Sequence, residues 1–137
     1  MNEQKRSGPD FICIGAQKAG TTWLSSQLKL HPNVWITPNK ELHYFDRDRR
    51  YPSPNTLSIT KLRDRLADKE WTAKAKQQVA KSIDTGSPFA VRWWHRYLFS
   101  DCSDSWYLSL FNAAASGKMA GELSPSYSIL DEESVAH

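Results

Sequence analysis

Phe11-Ile12-Cys13-Ile14-Gly15-Ala16-Gln17-Lys18-Ala19-Gly20-Thr21-Thr22-Trp23-Leu24 is the stretch on which the reading of this sequence turns. Its first four residues are bulky and apolar, and a glycine ends the run. Such a run predicts a strand buried on both faces, as in a parallel sheet. Residues 16–22 are small and polar. Beyond them apolar residues fall at Trp23, Leu24, Leu28 and Leu30, the spacing of a helix with one buried side, and His31-Pro32-Asn33 stops it. A strand that passes through a glycine-bearing loop into a helix aims backbone N–H groups and the positive end of the helix dipole at one spot. That arrangement suits phosphate or sulfate. Gly15-x-x-x-x-Gly20 has the glycine spacing of a Walker A loop, but Thr21-Thr22 stands where that loop has Lys and Ser/Thr. Lys18 lies inside the loop instead. Nucleotide triphosphate hydrolysis is therefore disfavoured, while Lys18 and two threonines remain available to a bound anion. The plainer alternative is a tight strand-to-helix turn with a solvated lysine. Strand, glycine spacing, internal lysine and Thr-Thr start together favour the anion site.

Outward from this stretch, Val34-Trp35-Ile36 reads as a second strand and residues 47–57, with Pro52 and Pro54, as an exposed loop. Residues 59–83 read as one or two amphipathic helices, with Leu62/Leu66 and Val79/Ile83 each four apart. The bases there, from Lys61, Arg63 and Arg65 to Lys81, are interleaved with Asp64, Asp68 and Glu70, which predicts a solvated face. Residues 89–111 are crowded with aromatics and fit two helices joined near 100–105. Helix packing is the commoner role for them, and lining an acceptor pocket is the other. Lys118–Leu123 reads as a third strand, Ser124-Pro125 as a helix opening, and residues 131–137 as the start of another helix. The order predicts an α/β fold with a parallel sheet. Three short strands make a thin sheet, so residues 11–137 are expected to be the N-terminal part of one domain, incomplete at its C-terminus, after a flexible leader over 1–10.

Composition sets outer bounds. The chain has 137 residues, a formal net charge of +3 and 39% hydrophobic residues, six of them Trp. This is enough apolar material for a core and too little positive charge for a dedicated nucleic-acid binder. Two cysteines imply no disulfide framework; Cys13 reads as a small core residue and Cys102 as a loop thiol. No His/Cys spacing points to a metal. No apolar run approaches the ~18–20 residues of a membrane span, and no apolar segment precedes Phe11 as in a secretory signal. A cytoplasmic location is expected.

The 11–24 stretch resembles the phosphosulfate-binding loop of the PAPS-dependent sulfotransferases, where PAPS is 3′-phosphoadenosine 5′-phosphosulfate. Asn39-Lys40-Glu41-Leu42-His43-Tyr44-Phe45-Asp46 and Gly121-Glu122-Leu123-Ser124-Pro125-Ser126-Tyr127 resemble two further segments of the heparan-type and bacterial carbohydrate branch. The resemblance implies a three-layer, P-loop-like α/β domain using PAPS as sulfuryl donor without a metal. It implies a small-molecule or carbohydrate acceptor. It assigns the donor to Gln17, Lys18, Ala19, Gly20, Thr21, Thr22 and Trp23, with Lys18 near the bridging oxygen, and makes Glu41 the general base. On a strand, His43 would share Glu41's face and orient or replace it. Leu123 stands where heparan-type members often have lysine, so a second cation on the sulfuryl group must come from elsewhere. An Arg and a Ser for the 3′-phosphate are expected beyond His137. A nucleotide kinase or NTPase, and a non-catalytic nucleotide-binding fragment, are the rival readings, and the oligomeric state stays open.

Overall fold

The computed structural model describes residues 5–54 and 57–136. Strand β1 (Phe11–Cys13) leads through the glycine-bearing loop into helix α1 (Thr21–Leu30), which returns the chain to β2 (Val34–Ile36). After a long loop come α2 (Leu62–Leu66), α3 (Lys69–Asp84), α4 (Pro88–Leu98) and α5 (Asp104–Ser109). Then follow β3 (Met119–Leu123), a 3₁₀ turn (Pro125–Ile129) and α6 (Glu132–Ala136). The fold is mixed α/β. The three strands form one parallel sheet in the order β1-β3-β2. Parallel neighbours need crossovers, which α1 and then α2–α5 supply.

The last strand in sequence takes the centre. Gly121 pairs with Phe11 on one side and Ile36 on the other. The Phe11 ring lies over Gly121, and a Cβ there would meet its far end, so a larger residue requires that ring to move. Burial on both faces was expected of β1 and belongs instead to β3, whose Ala120, Gly121, Glu122 and Leu123 are all buried. Among the described residues β1 has a strand on one flank only, and Ile12 and Ile14 remain 36% and 55% exposed.

Helix starts follow local chemistry. Asp68, Ser87 and Ser103 cap α3, α4 and α5 by accepting from the N–H groups of Trp71, Ala90 and Trp106 at 2.8, 3.2 and 3.1 Å. Pro88 occupies the first position of α4, where its missing N–H costs nothing. The core unites Leu42 and Tyr44 with Trp93 and Tyr97 of α4, Trp106 and Tyr107 of α5, then Leu110, Phe111 and Ala120. Each large side chain so buried contributes about 1.5–3 kcal/mol. Their polar tips are satisfied: Trp93 Nε1 donates to Leu110 O (3.0 Å), Trp106 Nε1 to Arg96 O (2.9 Å) and Tyr97 OH to Leu42 O (3.0 Å). The last bond moors the 39–46 segment to α4.

Three expectations need correction. On α1 the buried side chains are Thr21 and Ser25, with Leu24 and Leu28 half-buried, while Trp23 and Leu30 stand 68% and 79% exposed. On α2 and α3, Leu66 and Ile83 are exposed, and Arg65, Ala75 and Ser82 are buried. Arg65 is therefore not part of a solvated face. Its guanidinium donates to Ile59 O (2.9 Å), Thr60 O (3.0 Å), Leu98 O (3.3 Å) and Ser100 O, and to Sγ of Cys102, which lies in the α4–α5 loop as expected and is buried there. Loop and helix-end carbonyls lack intrahelical donors, and a planar fork of five N–H groups meets several at once. Finally, Ser124-Pro125 opens a 3₁₀ turn, not an α-helix: Tyr127 N–H bonds Ser124 O (2.9 Å) and Leu130 N–H bonds Tyr127 O (3.1 Å). Among the described residues no helix is long and apolar enough to cross a membrane.

Candidate active site

Gly20 enters α1 in the left-handed conformation (φ 83°, ψ 17°) and no side chain caps the helix. A Cβ at Gly20 would meet nothing within 4 Å, so glycine serves the backbone turn there and not a close approach. The first intrahelical bond runs from Leu24 N–H to Gly20 O (3.0 Å), which leaves the earlier N–H groups of the first turn open. No acid lies in that turn. Lys40 reaches across from the next loop, with Nζ 3.0 Å from both Thr21 Oγ1 and Thr22 Oγ1. Among the described residues neither Lys18 nor Lys40 has a carboxylate within ion-pair distance. One cation, two hydroxyls and a helix start thus converge without a counter-charge, with the exposed Lys18 in the loop just before them, and this is a donor set that suits an anionic diphosphate-like group.

Glu41 and His43 do not lie on a strand, contrary to the sequence expectation. Residues 37–46 form a loop along the end of β3, tied by Glu41 N–H to Leu123 O (2.9 Å), Leu42 N–H to Ser124 Oγ (3.1 Å) and Tyr44 N–H to Tyr127 OH (3.1 Å). Leu42 is fully buried, and Glu41 and His43 on either side of it are left-handed, with φ 66° and 56°. The two polar side chains nevertheless share a cavity of about 480 Å³ with Gln17 from the loop and with Ser126 and Ser128 from the 3₁₀ turn. The common side is reached through left-handed backbone at both positions, not through strand alternation. Ser126 N–H donates to Glu41 Oε2 at 3.3 Å. His43 Nδ1 lies 2.9 Å from Oδ2 of the fully buried Asp46 and 3.5 Å from Ser126 Oγ. Burial pushes the Asp46 carboxyl up, but the hydrogen bond and charge of His43 outweigh it and hold the carboxyl below its ordinary value. An ionised Asp46 makes Nδ1 the proton-bearing nitrogen and leaves Nε2 to the cavity.

Backbone strain marks the same residues. Among the described residues three non-glycine positions have positive φ: Lys18 (58°), Glu41 (66°) and His43 (56°). A left-handed side-chain-bearing residue costs of order 1 kcal/mol, and such strain collects at active sites. These are the three residues singled out from sequence for catalysis. Of the other sequence candidates, Gln17 lines the cavity, and Thr21 and Thr22 bind Lys40. Ala19 and Gly20 are exposed at the helix start, and the Trp23 side chain projects into solvent.

Sequence reasoning gave no role to Lys40, although it adjoins Glu41, and none to Glu122. Glu122 is wholly buried near the end of the central strand β3 and accepts from Tyr107 OH (2.5 Å), Ser124 Oγ (2.7 Å) and Tyr127 OH (3.3 Å). Burial raises its pKa to about 7; the three hydroxyls oppose that shift and the charge of Asp46 adds to it. Burial and the Glu122 charge also push the Tyr107 hydroxyl far up. The sequence signal was an acid inside an otherwise apolar strand, Met119-Ala120-Gly121-Glu122-Leu123.

A strand–loop–helix with an open anion site, beside a loop carrying a carboxylate and an Asp-anchored histidine, has the parts of a group-transfer enzyme. Comparison with known proteins narrows this. Over 61 residues the chain is 41% identical to carbohydrate sulfotransferase 15 of Homo sapiens, and equally to that of Rattus norvegicus and Mus musculus. The match covers 44% of this chain and 10% of each relative, so it spans about a tenth of the relatives' length. It supports a sulfotransferase-like relationship. No family profile matches the chain, and no solved structure does.

Proposed function

We propose that this chain carries the donor-binding loop and the proton acceptor of a PAPS-dependent sulfotransferase, within a P-loop-like three-layer domain. The observation that carries the reading is the coincidence of the three left-handed residues Lys18, Glu41 and His43 with the anion loop and the cavity beside it. PAPS supplies the sulfuryl group. The open N–H groups at the start of α1, with Thr21 and Thr22, hold its 5′-phosphate. Lys18 neutralises charge developing on the bridging oxygen. Lys40, already on both threonine hydroxyls, is the second cation that Leu123 does not provide. An acceptor hydroxyl forms its bond to sulfur as its proton passes to the Glu41 carboxylate. The S–O bond to the nucleotide phosphate breaks, and its electron pair stays on that phosphate. Ser126 N–H fixes the orientation of Glu41, and Asp46 fixes that of His43.

The test is Glu41→Gln in the protein incubated with PAPS and a panel of hydroxyl acceptors. PAP release should fall by about 10²–10⁴-fold, while PAP binding, measured by calorimetry, stays within about twofold because the carboxylate donates nothing to the anion. Unchanged turnover removes Glu41 from the mechanism. Absence of PAP binding to the unaltered protein removes the donor site.

A further inference from the structure

The buried carboxylate of Glu122 lies at the root of the loop that presents Glu41 and His43. Its Oε2 accepts from Ser124 Oγ (2.7 Å) and from Tyr127 OH (3.3 Å). The same two hydroxyls accept from the loop backbone: Leu42 N–H reaches Ser124 Oγ and Tyr44 N–H reaches Tyr127 OH, each at 3.1 Å. Leu42 and Tyr44 flank His43, and Leu42 follows Glu41. Resting on the reading above, we infer that Glu122 is the positioning residue of the proton-transfer loop: through two hydroxyls it fixes the backbone that aims Glu41 and His43 into their cavity.

Proton counting dictates the direction of these bonds. A hydroxyl has one proton to donate and two lone pairs, and an ionised carboxylate has no proton at all. Each hydroxyl beside Glu122 therefore turns its proton to the carboxylate and keeps only acceptor capacity for the far side. A backbone N–H is the group such a hydroxyl can receive, and the loop meets the pair with two of them. Above the value of about 7 to which burial raises it, Glu122 is that ionised acceptor, and burial pushes the hydroxyls of Tyr107 and Tyr127 far up, so they retain protons to donate. The loop needs such a hold. Glu41 and His43 are both left-handed (φ 66° and 56°), and residues 37–46 lie in no helix or strand. Bonds from a sealed network oppose relaxation of these residues to an ordinary conformation. Tyr107 supplies a control. Its OH donates to Glu122 Oε1 at 2.5 Å and its ring stacks on that of Tyr44, but among the described residues its hydroxyl accepts from no loop N–H.

Amide hydrogen exchange over residues 39–46, referenced to α3 and read at pH 8.5, tests this in four variants. Tyr127→Phe and Tyr107→Phe each delete one hydroxyl from the same carboxylate and keep the ring; only the first also removes the acceptor of Tyr44 N–H. Exchange should quicken by about tenfold or more in Tyr127→Phe and stay within about threefold in Tyr107→Phe. Ser124→Ala, which removes the acceptor of Leu42 N–H outside the aromatic core, should quicken it too. Glu122→Gln brings an amide that donates and lets a hydroxyl reverse; it should loosen the loop, and combining it with Tyr127→Phe should add less than the sum. With PAPS and the acceptor panel used for Glu41→Gln, PAP release should fall by about tenfold or more wherever the loop loosens. PAP affinity should stay within about twofold throughout, because no residue of the anion loop is altered. Equal quickening in the two tyrosine variants reduces Glu122 to a core group and overturns the proposal, as does full turnover in a variant whose loop has loosened. If the unaltered protein binds no PAP, the donor reading falls by itself, and exchange still decides whether Glu122 holds the loop.

Discussion

Glu122 and Glu41 both sit against the end of β3, yet one is sealed among three hydroxyls and the other lines a cavity with a single backbone N–H on it. Glu122 joins the strand to α5 through Tyr107 and to the 3₁₀ turn through Tyr127. Among the described residues the Glu41 carboxylate has a single tie, to Ser126 N–H of the 3₁₀ turn, and the chain bends through a left-handed residue to present it. A fully partnered buried carboxylate positions the elements around it. A strained, half-buried one with capacity to spare is available for chemistry. Sequence resemblance marks both blocks alike, and the hydrogen-bond partners separate their roles.

The largest effect that would break this contrast is on stability. Glu122→Ala strands the Tyr107, Ser124 and Tyr127 hydroxyls and opens a cavity, and should cost about 4 kcal/mol in denaturant unfolding. Glu41→Ala should change stability by less than about 1 kcal/mol, since it loses one hydrogen bond and alanine keeps the left-handed strain, which only Glu41→Gly would relieve. Equal losses would mean that Glu41 is structural too.

The next effect is pH-dependent. Folded Glu122 holds its proton up to about pH 7, against 4.5 for the ordinary carboxyl. Between these values the folded state binds more protons than the unfolded one, so stability falls as pH rises. Its contribution is fully present below pH 4.5 and is lost as pH climbs through 7, a change of up to about 3 kcal/mol. Asp46, held below its ordinary value, acts in the opposite sense and only at more acid pH. Urea midpoints at pH 5 and pH 8 should therefore differ in the unaltered protein and converge in Glu122→Gln. A slope that survives in Glu122→Gln assigns the titration to another group.

Much of this contrast was legible beforehand, for stated reasons. The β1–loop–α1 unit is encoded locally by an apolar run, two glycines and a helix period; the helix caps at Asp68, Ser87 and Ser103 are local too, but the sequence reading did not pick them out. The joining of Gln17, Glu41 and His43 in one cavity was implied by resemblance alone, and the left-handed backbone that achieves it has no glycine to announce it. Arg65 defeated the sequence reading because its partners are backbone carbonyls contributed by Ile59, Thr60, Leu98 and Ser100. Carbonyls carry no residue type for a pattern to detect. The central place of β3 depends on a pairing more than a hundred residues from Phe11, set by a glycine beneath an aromatic ring.

A smaller effect concerns the two lysines of the anion site. Lys18→Ala and Lys40→Ala should each weaken PAP binding by about 10–30-fold, roughly 1.4–2 kcal/mol for a lost charge-assisted contact. Neither should shift stability by more than about 0.5 kcal/mol, since neither pairs with a carboxylate. The double variant should lose less than the sum if both cations grip one phosphate. Full additivity would place them on different groups.

The smallest effect sharpens the boundary of the site. Trp23 belongs to the donor loop by resemblance, but its side chain is 68% exposed on α1 and what it offers an anion is its backbone N–H in the first turn. Trp23→Ala keeps that N–H and, if anything, improves helix propensity. PAP affinity should stay within about twofold and stability within about 0.5 kcal/mol. Trp23→Pro removes the N–H and should weaken PAP several-fold, with the helix tolerating proline this early in its first turn. A tenfold loss with alanine would instead make the indole itself a platform for the adenine ring and move the edge of the donor site onto the exposed face of α1.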